Sequence, residues 1–254
     1  MKALLEVRGL NKHFFGLHAV KDVSFDLQPG SITGVLGPNG AGKTTMFNLL
    51  TGFIRSDSGS VLFDGHSLAG LVPYQIVNYG LARTFQLARP FAGMTVVENV
   101  EVACLAPRVR YSGRPRERAY ALLNQVGLGG QAEFEVDVLP YGDLRRLEIA
   151  RALATKPKLL MLDEPFAGLG AGEVGPLADL IRKLHKSEGL TILLIEHKLR
   201  EFMQLVQEII AMDFGEIVAV GTPAEIVRHP RVIEAYLGTA QIDPVDRNKN
   251  VSLA

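Results

Sequence analysis

The sequence has 254 residues, with 27 basic and 27 acidic side chains, so its formal net charge is zero. Balanced charge argues against attraction of the whole chain to nucleic acid or to anionic lipid. The hydrophobic fraction is 47% and the charged fraction 21%, a globular composition that argues against disorder as the main state. The single cysteine, Cys104, excludes a disulfide within the chain and favours a reducing, cytosolic setting.

The first residues do not resemble a secretory signal, because Glu6 and Arg8 interrupt the apolar run before it reaches the required length. No window approaches the roughly 18 to 20 apolar residues that a membrane-spanning helix needs. We therefore expect any association with a membrane to pass through a partner protein.

The first quarter of the sequence predicts short strands separated by a loop and a helix. Residues 3–8 are apolar-rich, and residues 23–27 alternate between apolar and polar side chains, as half-buried strands do. The apolar run over 32–36 lies between glycines, which favours a buried parallel strand. A glycine-rich loop and a helix over 43–50 come next, and residues 61–63 form another short strand.

Beyond about residue 87 the pattern becomes mainly helical and then returns to alternating strands and helices. The predicted helices cover residues 116–126, 142–154, 174–184 and 198–206, and the predicted strands cover residues 159–162, 191–195, 209–212 and 217–220. Residues 222–225 have the composition of a helix capping box, and residues 239–254 lose all periodicity and predict a loose tail. We therefore predict an α/β fold with a helical insertion and an antiparallel sheet at the N-terminal side.

A phosphate-binding loop is predicted between the strand at 32–36 and the helix that follows it. The segment fits the pattern G-x-x-x-x-G-K-[ST] without a mismatch; its residues are Gly37, Pro38, Asn39, Gly40, Ala41, Gly42, Lys43 and Thr44, and Thr45 comes next. Glycines let the backbone wrap closely around an anion, and the helix N-terminus adds N–H donors. Lys43 supplies positive charge to the outer phosphates, and the Thr44 hydroxyl is placed to ligate Mg²⁺. The pattern predicts binding of a nucleoside triphosphate.

Two carboxylates follow the apolar strand predicted at 159–162. We expect Asp163 to hold Mg²⁺ opposite the phosphate loop, directly or through water. Glu164 is then free to act as general base on the attacking water. Taken alone, Asp-Glu-Pro after a strand is more often an ordinary exposed turn, but its combination with the phosphate loop favours a catalytic site.

Three further segments lie between these two motifs or after the second one. Gln86 ends a Thr-Phe-Gln segment between them, Gly142 lies where a predicted helix begins, and His197 follows the strand at 191–195. Each has a simple alternative when taken alone, namely a surface amide, a helix start and a polar strand end.

Together, in this order and spacing, the motifs resemble the ATP-binding subunit of an ABC transporter, over about residues 3–238. Within that family the sequence looks most like the subunit of branched-chain (hydrophobic) amino acid importers. The closer resemblance rests on the segments at 83–86, 141–151, 195–197 and 235–238.

The resemblance implies a role for each matched residue. Phe14 takes the place of the aromatic side chain that stacks on adenine, with Phe15 as a less favoured candidate. Loop residues 37–45 bind the phosphates of ATP, and Mg²⁺ is held by Thr44, Gln86 and Asp163. Glu164 matches the catalytic base and His197 the switch residue at the γ-phosphate; Gln86 and Lys43 complete the catalytic set. Tyr141, Gly142 and Asp143 match the signature segment, which contacts ATP bound by a second subunit.

The resemblance also implies the architecture and the surroundings of the chain. A P-loop NTPase core with a mainly parallel sheet and an antiparallel β subdomain covers residues 1–86 and 156–238, and a helical subdomain covers 87–155. The expected partners are a second ATP-binding subunit, identical or related, transmembrane permease subunits and indirectly a substrate-binding protein; nucleic acid is not one. The expected activity is ATP hydrolysis coupled to transport of branched-chain or hydrophobic amino acids, at the cytoplasmic face of the inner membrane.

Two alternative functions stay open, and the sequence departs from the family pattern at two places. The chain could serve another ABC system, for urea or amide import or for lipid or lipopolysaccharide export, or, less favoured, could act on nucleic acid or ribosomes. In the signature segment Pro140 replaces the usual Ser and Asp143 the usual Gln, and Gly170 stands where the family usually has Asp or Asn. We expect hydrolysis to survive both departures, which concern communication between two sites.

Overall fold

The strands form two sheets in the computed structural model, which describes residues 2–109 and 114–237. The first sheet is antiparallel, has the order β2-β1-β4-β5, and contains β1 (Leu5–Phe14), β2 (Leu17–Leu27), β4 (Ser58–Phe63) and β5 (His66–Ser67). The second has the order β10-β9-β3-β8-β7-β6 and contains β3 (Ile32–Leu36), β6 (Leu81–Arg83), β7 (Leu159–Asp163), β8 (Thr191–Ile195), β9 (Glu208–Asp213) and β10 (Glu216–Gly221). Only the edge pair β9–β10 of this second sheet is antiparallel. The predicted α/β fold is confirmed.

The helices connect these strands and cover the second sheet. Their bounds are α1 (Lys43–Leu50), α2 (Pro73–Tyr79), α3 (Val96–Cys104), α4 (Pro115–Val126), α5 (Tyr141–Ala154), α6 (Ala171–Glu188), α7 (Leu199–Leu205), α8 (Pro223–Ile226) and α9 (Pro230–Leu237). Helices α3, α4 and α5 pack on one another, as the mainly helical pattern after residue 87 predicts. Within the part of the chain that the structure describes, we find no helix with the length and apolarity needed to cross a bilayer.

Several bounds differ from the sequence prediction, and the differences have physical reasons. Strand β1 extends six residues beyond the predicted segment because it pairs with β2 on one side and β4 on the other. Helix α6 runs longer at both ends than the predicted 174–184, since the Glu173 carboxylate accepts from the N–H of Gly170 at its start and Gly189 ends it in the left-handed conformation. Strand β6 was not predicted, because three residues are too few to show a pattern. The predicted tail at 239–254 lies outside the described residues.

Strands β3, β7 and β8 of the second sheet are buried on both faces, and their alternate residues contribute to two hydrophobic clusters. In β7, Leu160 and Leu162 face the cluster formed with α3, α4, α5 and α6, whereas Leu159 and Met161 face the cluster shared with α1 and the antiparallel sheet. Helix α1 therefore lies between the two sheets. This arrangement places the loop before α1 and the carboxyl ends of β3, β7 and β8 at one edge.

Candidate functional site

The glycine-rich loop between β3 and α1 is held tightly against its neighbours. A Cβ atom at Gly37 would lie 2.3 Å from the carbonyl oxygen of Met212, and one at Gly42 would lie 2.5 Å from that of Ala19. Gly42 also has a φ of 95°, in the left-handed region that glycine adopts without strain. Both positions therefore require glycine, which explains both fixed glycines of the predicted motif.

Lys43 is buried, and its ammonium lies back over the loop that precedes it. Nζ donates to the carbonyl oxygens of Gly37, at 2.7 Å, and Pro38, at 2.9 Å. Two bonds leave one of its three donor hydrogens available for a phosphate oxygen. Burial lowers the pKa of Lys43 below its usual value, while the negative charges of Glu164 and Asp163 act in the opposite direction. The ammonium therefore lies within electrostatic range of both carboxylates.

A cavity of about 480 Å³ opens in front of this loop. Its walls include Phe14 at the end of β1, loop residues 39–45, Glu164 and His197. This volume lies within the range of about 300 to 1,000 Å³ typical of small-ligand sites. Phe15, the less favoured candidate for the adenine contact, is fully exposed and does not line the cavity. The structure thus brings the predicted aromatic side chain, the phosphate loop and two predicted catalytic residues to one cavity.

Glu164 lies at the centre of a three-residue hydrogen-bonded cluster. Its Oε1 is 2.9 Å from Nε2 of His197, and its Oε2 accepts a hydrogen bond of 2.9 Å from Nε2 of Gln86. Glu164 has a φ of 49°, a conformation that is uncommon outside glycine and that occurs preferentially at functional sites. These three residues come from separate segments of the chain, as their positions in the sequence predict.

Glu196, to which the sequence motifs assign no role, holds the backbone on both sides of this cluster. Its buried carboxylate accepts from the backbone N–H of Phe166, at 2.6 Å, and of His197, at 2.7 Å. One carboxylate thereby joins the segment after Glu164 to the segment that begins with His197. The available signal was an acidic residue directly after a strand that is apolar except for Thr191, where a charge needs partners.

Asp163 forms a buried ion pair with Arg83, a residue that belongs to the family resemblance but has no role predicted from the sequence. Nη2 of Arg83 donates to Oδ2 of Asp163 at 2.6 Å, and the two side chains are 5% and 4% exposed. The other carboxylate oxygen, Oδ1, has no hydrogen-bond partner within the described residues. Asp163 therefore keeps one oxygen for a further ligand.

The donors that were predicted to hold Mg²⁺ fit that ion in chemical type. The hydroxyl of Thr44, the amide oxygen of Gln86 and Oδ1 of Asp163 are hard oxygen donors, which Mg²⁺ prefers. The Thr44 hydroxyl makes no hydrogen bond to any described residue. No group of three or more His, Cys, Asp or Glu side chains with metal-binding geometry occurs in residues 2–109 and 114–237. Such a sparse set suits an ion that also takes oxygen ligands from a nucleotide.

The signature residues do not line this cavity. Tyr141, Gly142 and Asp143 open α5, and the carboxylate of Asp143 accepts from Nε2 of Gln131 at 3.0 Å. The Tyr141 ring lies 5.0 Å from the guanidinium of Arg145. The structure thus separates these three predicted contacts from the phosphate loop of the same chain.

Arg145 connects the signature helix α5 to the segment that carries Gln86. Its guanidinium donates to the carbonyl oxygens of Phe85, at 2.8 Å, and Gln86, and it pairs with Glu148 at 3.0 Å. Burial raises the pKa of Glu148, and the charge of Arg145 opposes that shift. A displacement of α5 would therefore be transmitted directly to the backbone beside Gln86.

Comparisons with known proteins agree with this geometry. The ABC transporter family matches residues 20–167, and the branched-chain amino acid ATP-binding cassette transporter family matches residues 216–241. The high-affinity branched-chain amino acid transport ATP-binding protein LivG of Escherichia coli (strain K12) is 43% identical over 251 residues, which cover 93% of this chain and 98% of LivG. The corresponding protein BraF of Pseudomonas aeruginosa is 42% identical over 253 residues, covering 94% of this chain and 99% of BraF.

A solved structure extends the agreement to three dimensions. The crystal structure of the ADP conformation of MJ1267, an ATP-binding cassette of an ABC transporter, matches with a TM-score of 0.85 at 30% identity. The match covers 94% of this chain and 100% of that chain. The nucleotide cavity, the motifs around it and these similarities lead to one conclusion: the chain belongs to the ATP-binding proteins of ABC transporters, within the group of branched-chain amino acid transport ATP-binding proteins.

Proposed function

We propose that this chain hydrolyses ATP to power import of branched-chain amino acids across the inner membrane. The observation that carries the proposal is the convergence of Lys43, Glu164 and His197 at one cavity, with Gln86 hydrogen-bonded to Glu164. Lys43 and the loop N–H groups bind the outer phosphates of ATP, and Phe14 stacks on its adenine ring. Preorganised donors of this kind stabilise the charge on the transferred phosphoryl group.

Glu164 is the proposed general base for the attacking water. In the structure its carboxylate accepts from Gln86 and contacts His197, so both neighbours hold it in a fixed orientation. As the base takes a proton from water, Gln86 orients that water and His197 contacts the γ-phosphate. Thr44, Gln86 and Asp163 hold Mg²⁺, which neutralises charge on the phosphates when bound.

A second ATP-binding subunit, identical or related, completes the site. Tyr141, Gly142 and Asp143 lie outside the cavity of their own chain, which supports a role at the cavity of a partner. Pro140 is the N-cap of α5, so the first N–H groups of that helix have no partner within the helix and can face a phosphate. This backbone contact would replace the hydroxyl that Pro140 lacks. Gly170 offers no side chain for the polar contact made at this position elsewhere in the family.

Permease subunits are the proposed membrane partners, and the helical insertion is the proposed contact. A cleft of about 330 Å³ lies between the second sheet and α3 and α5, and its walls include Phe53, Phe85 and Arg151. Phe53 and Phe85 are exposed, as are Leu87 and Leu105 nearby in sequence. Exposed apolar side chains around a cleft favour a protein partner. Because the cleft includes Phe85, a bound partner would touch the residue beside Gln86.

Purification of the tagged full-length chain from membranes tests this proposal. We expect permease subunits and a second ATP-binding subunit to co-purify, and the complex in liposomes to take up labelled leucine only with ATP inside and the binding protein outside. If the liposomes take up leucine no faster than liposomes without the complex but transport a different solute, the substrate assignment is wrong. Co-purification with ribosomes or nucleic acid in place of membrane chains would overturn the proposal.

A further inference from the structure

Arg83 lies at the end of the short edge strand β6 and makes an enclosed charged contact at the site. Its side chain is 5% exposed, and both terminal nitrogens are engaged. Nη2 donates to Oδ2 of Asp163 at 2.6 Å, and Nη1 donates to Oδ1 of Asn48, at 2.6 Å, and to Oγ1 of Thr51, at 3.2 Å. A planar guanidinium with both ends held has one available orientation.

Aromatic rings enclose the rest of this guanidinium. Its carbon lies 5.2 Å from the ring centre of Phe85, 5.6 Å from that of Phe47 and 5.9 Å from that of Phe53. Nε is buried without a hydrogen-bond partner, so its position is set by the two outer nitrogens and the rings. Arg83 therefore cannot move without breaking contacts to Asp163 or to α1.

Two of the three hydrogen-bond partners of Arg83, Asn48 and Asp163, lie on the helix and the strand that carry proposed metal ligands. Asn48 stands four residues after Thr44 on α1, so both lie on the same face of that helix. Asp163 ends β7. Arg83 thus joins the helix that carries one oxygen donor to the strand that carries the other.

We propose that Arg83 is a positioning residue for the metal ligand Asp163. By donating to Oδ2 of Asp163, Arg83 fixes the plane of the carboxylate and leaves Oδ1 for Mg²⁺. By donating to Asn48 as well, Arg83 fixes the position of this Oδ1 atom relative to Thr44 on the same helix. The inference rests on the proposed Mg²⁺ site. Outer contacts of this kind typically change metal affinity by about 10- to 100-fold when removed.

The role is tested by calorimetry on the full chain, with the non-hydrolysable analogue AMP-PNP as the nucleotide and Mn²⁺ as the probe ion. The affinity for AMP-PNP is measured with Mn²⁺ and again with EDTA, and the ratio of the two affinities is the metal-dependent gain. We expect Arg83→Met to reduce the gain about tenfold while affinity in EDTA stays within about twofold. Arg83→Lys keeps the charge but reaches fewer partners, and should recover part of the gain. Arg116→Met, which removes an arginine paired with Glu133 outside the site, should leave the gain unchanged.

A double-mutant cycle with Asp163→Asn shows whether the effect passes through Asp163. We expect Asp163→Asn to reduce the gain, and Arg83→Met to reduce it no further in that background. An unchanged gain in Asp163→Asn means that the proposed metal ligand is wrong. If the gain falls in Asp163→Asn but is unchanged in Arg83→Met, the positioning role alone is overturned. A larger gain in Arg83→Met overturns it as well, because repulsion between the guanidinium and the metal would then dominate. Should Arg83→Met not fold, Arg83→Lys and Asn48→Ala decide: an unchanged gain in both overturns the inference.

Discussion

Replacing Glu164 by Gln separates the proposed proton acceptor from the geometry that holds it. Glutamine has nearly the same shape, and its amide oxygen can still accept from Nε2 of Gln86 while its NH₂ group donates to Nε2 of His197. The neutral His197 tautomer that carries its proton on Nδ1 accepts that bond. The hydrogen-bonded cluster therefore survives, and the variant should bind ATP with an affinity within about threefold of the parent, a difference of about 0.7 kcal/mol.

The expected effect on hydrolysis is much larger, because an amide cannot accept a proton from water. A positioned general base contributes about 10²- to 10⁴-fold to the rate, or about 3 to 5 kcal/mol of barrier. The Glu164 side chain is 15% exposed, so solvent water has limited access to replace it. We therefore expect the turnover number of Glu164→Gln to fall at least about 100-fold.

Phosphate release under saturating Mg²⁺ and ATP measures this effect, with ATP affinity determined by calorimetry on the same preparations. Glu188→Gln is a matched control, because the exposed Glu188 carboxylate accepts from Nε2 of Gln125 at the same distance of 2.9 Å and lies outside the cavity. Its turnover should equal that of the parent. Hydrolysis by Glu164→Gln within about twofold of the parent rate would show that another group is the base.

Three further predictions concern binding, reactivity and packing. Lys43→Ala should weaken ATP binding at least about tenfold, since it removes the only buried cation of the cavity wall among the described residues. An unchanged affinity by calorimetry would contradict the phosphate-loop assignment. Burial raises the pKa of the Cys104 thiol to about 11, so its reactive thiolate is scarce at pH 8. Alkylation of the native protein by iodoacetamide, followed by mass spectrometry, should therefore be slow at pH 8 and about tenfold faster at pH 9. In urea, where the thiol is exposed, alkylation should be fast. Gly34→Ala should cost about 1 to 3 kcal/mol in urea unfolding, because its Cβ would lie 2.2 Å from Cζ of Phe202, whereas Gly172→Ala, which meets open space, should not destabilise the protein.

The phosphate loop illustrates what can be read from sequence. Gly37, Gly42 and Lys43 are close in the chain, and their conformation follows from a strand, a tight loop and a helix in immediate succession. The strand at Ile32–Leu36 and the capping box at Thr222 and Glu225 were predicted correctly for the same reason: each pattern is local. Short elements that depend on a neighbour, such as β6, were missed because three residues carry no periodicity.

The α/β class, the phosphate loop and the catalytic candidates Glu164, Gln86 and His197 can be read from the amino-acid sequence. The contacts that hold these residues appear only in the folded chain. Arg83 and Asp163 are 80 residues apart, and nothing local to either predicts that they form a buried ion pair. Glu196 likewise acquires its role only when the ends of β7 and β8 meet at one sheet edge. A buried charge is tolerated where a partner compensates its desolvation, and such partners come from distant segments that only folding brings into contact.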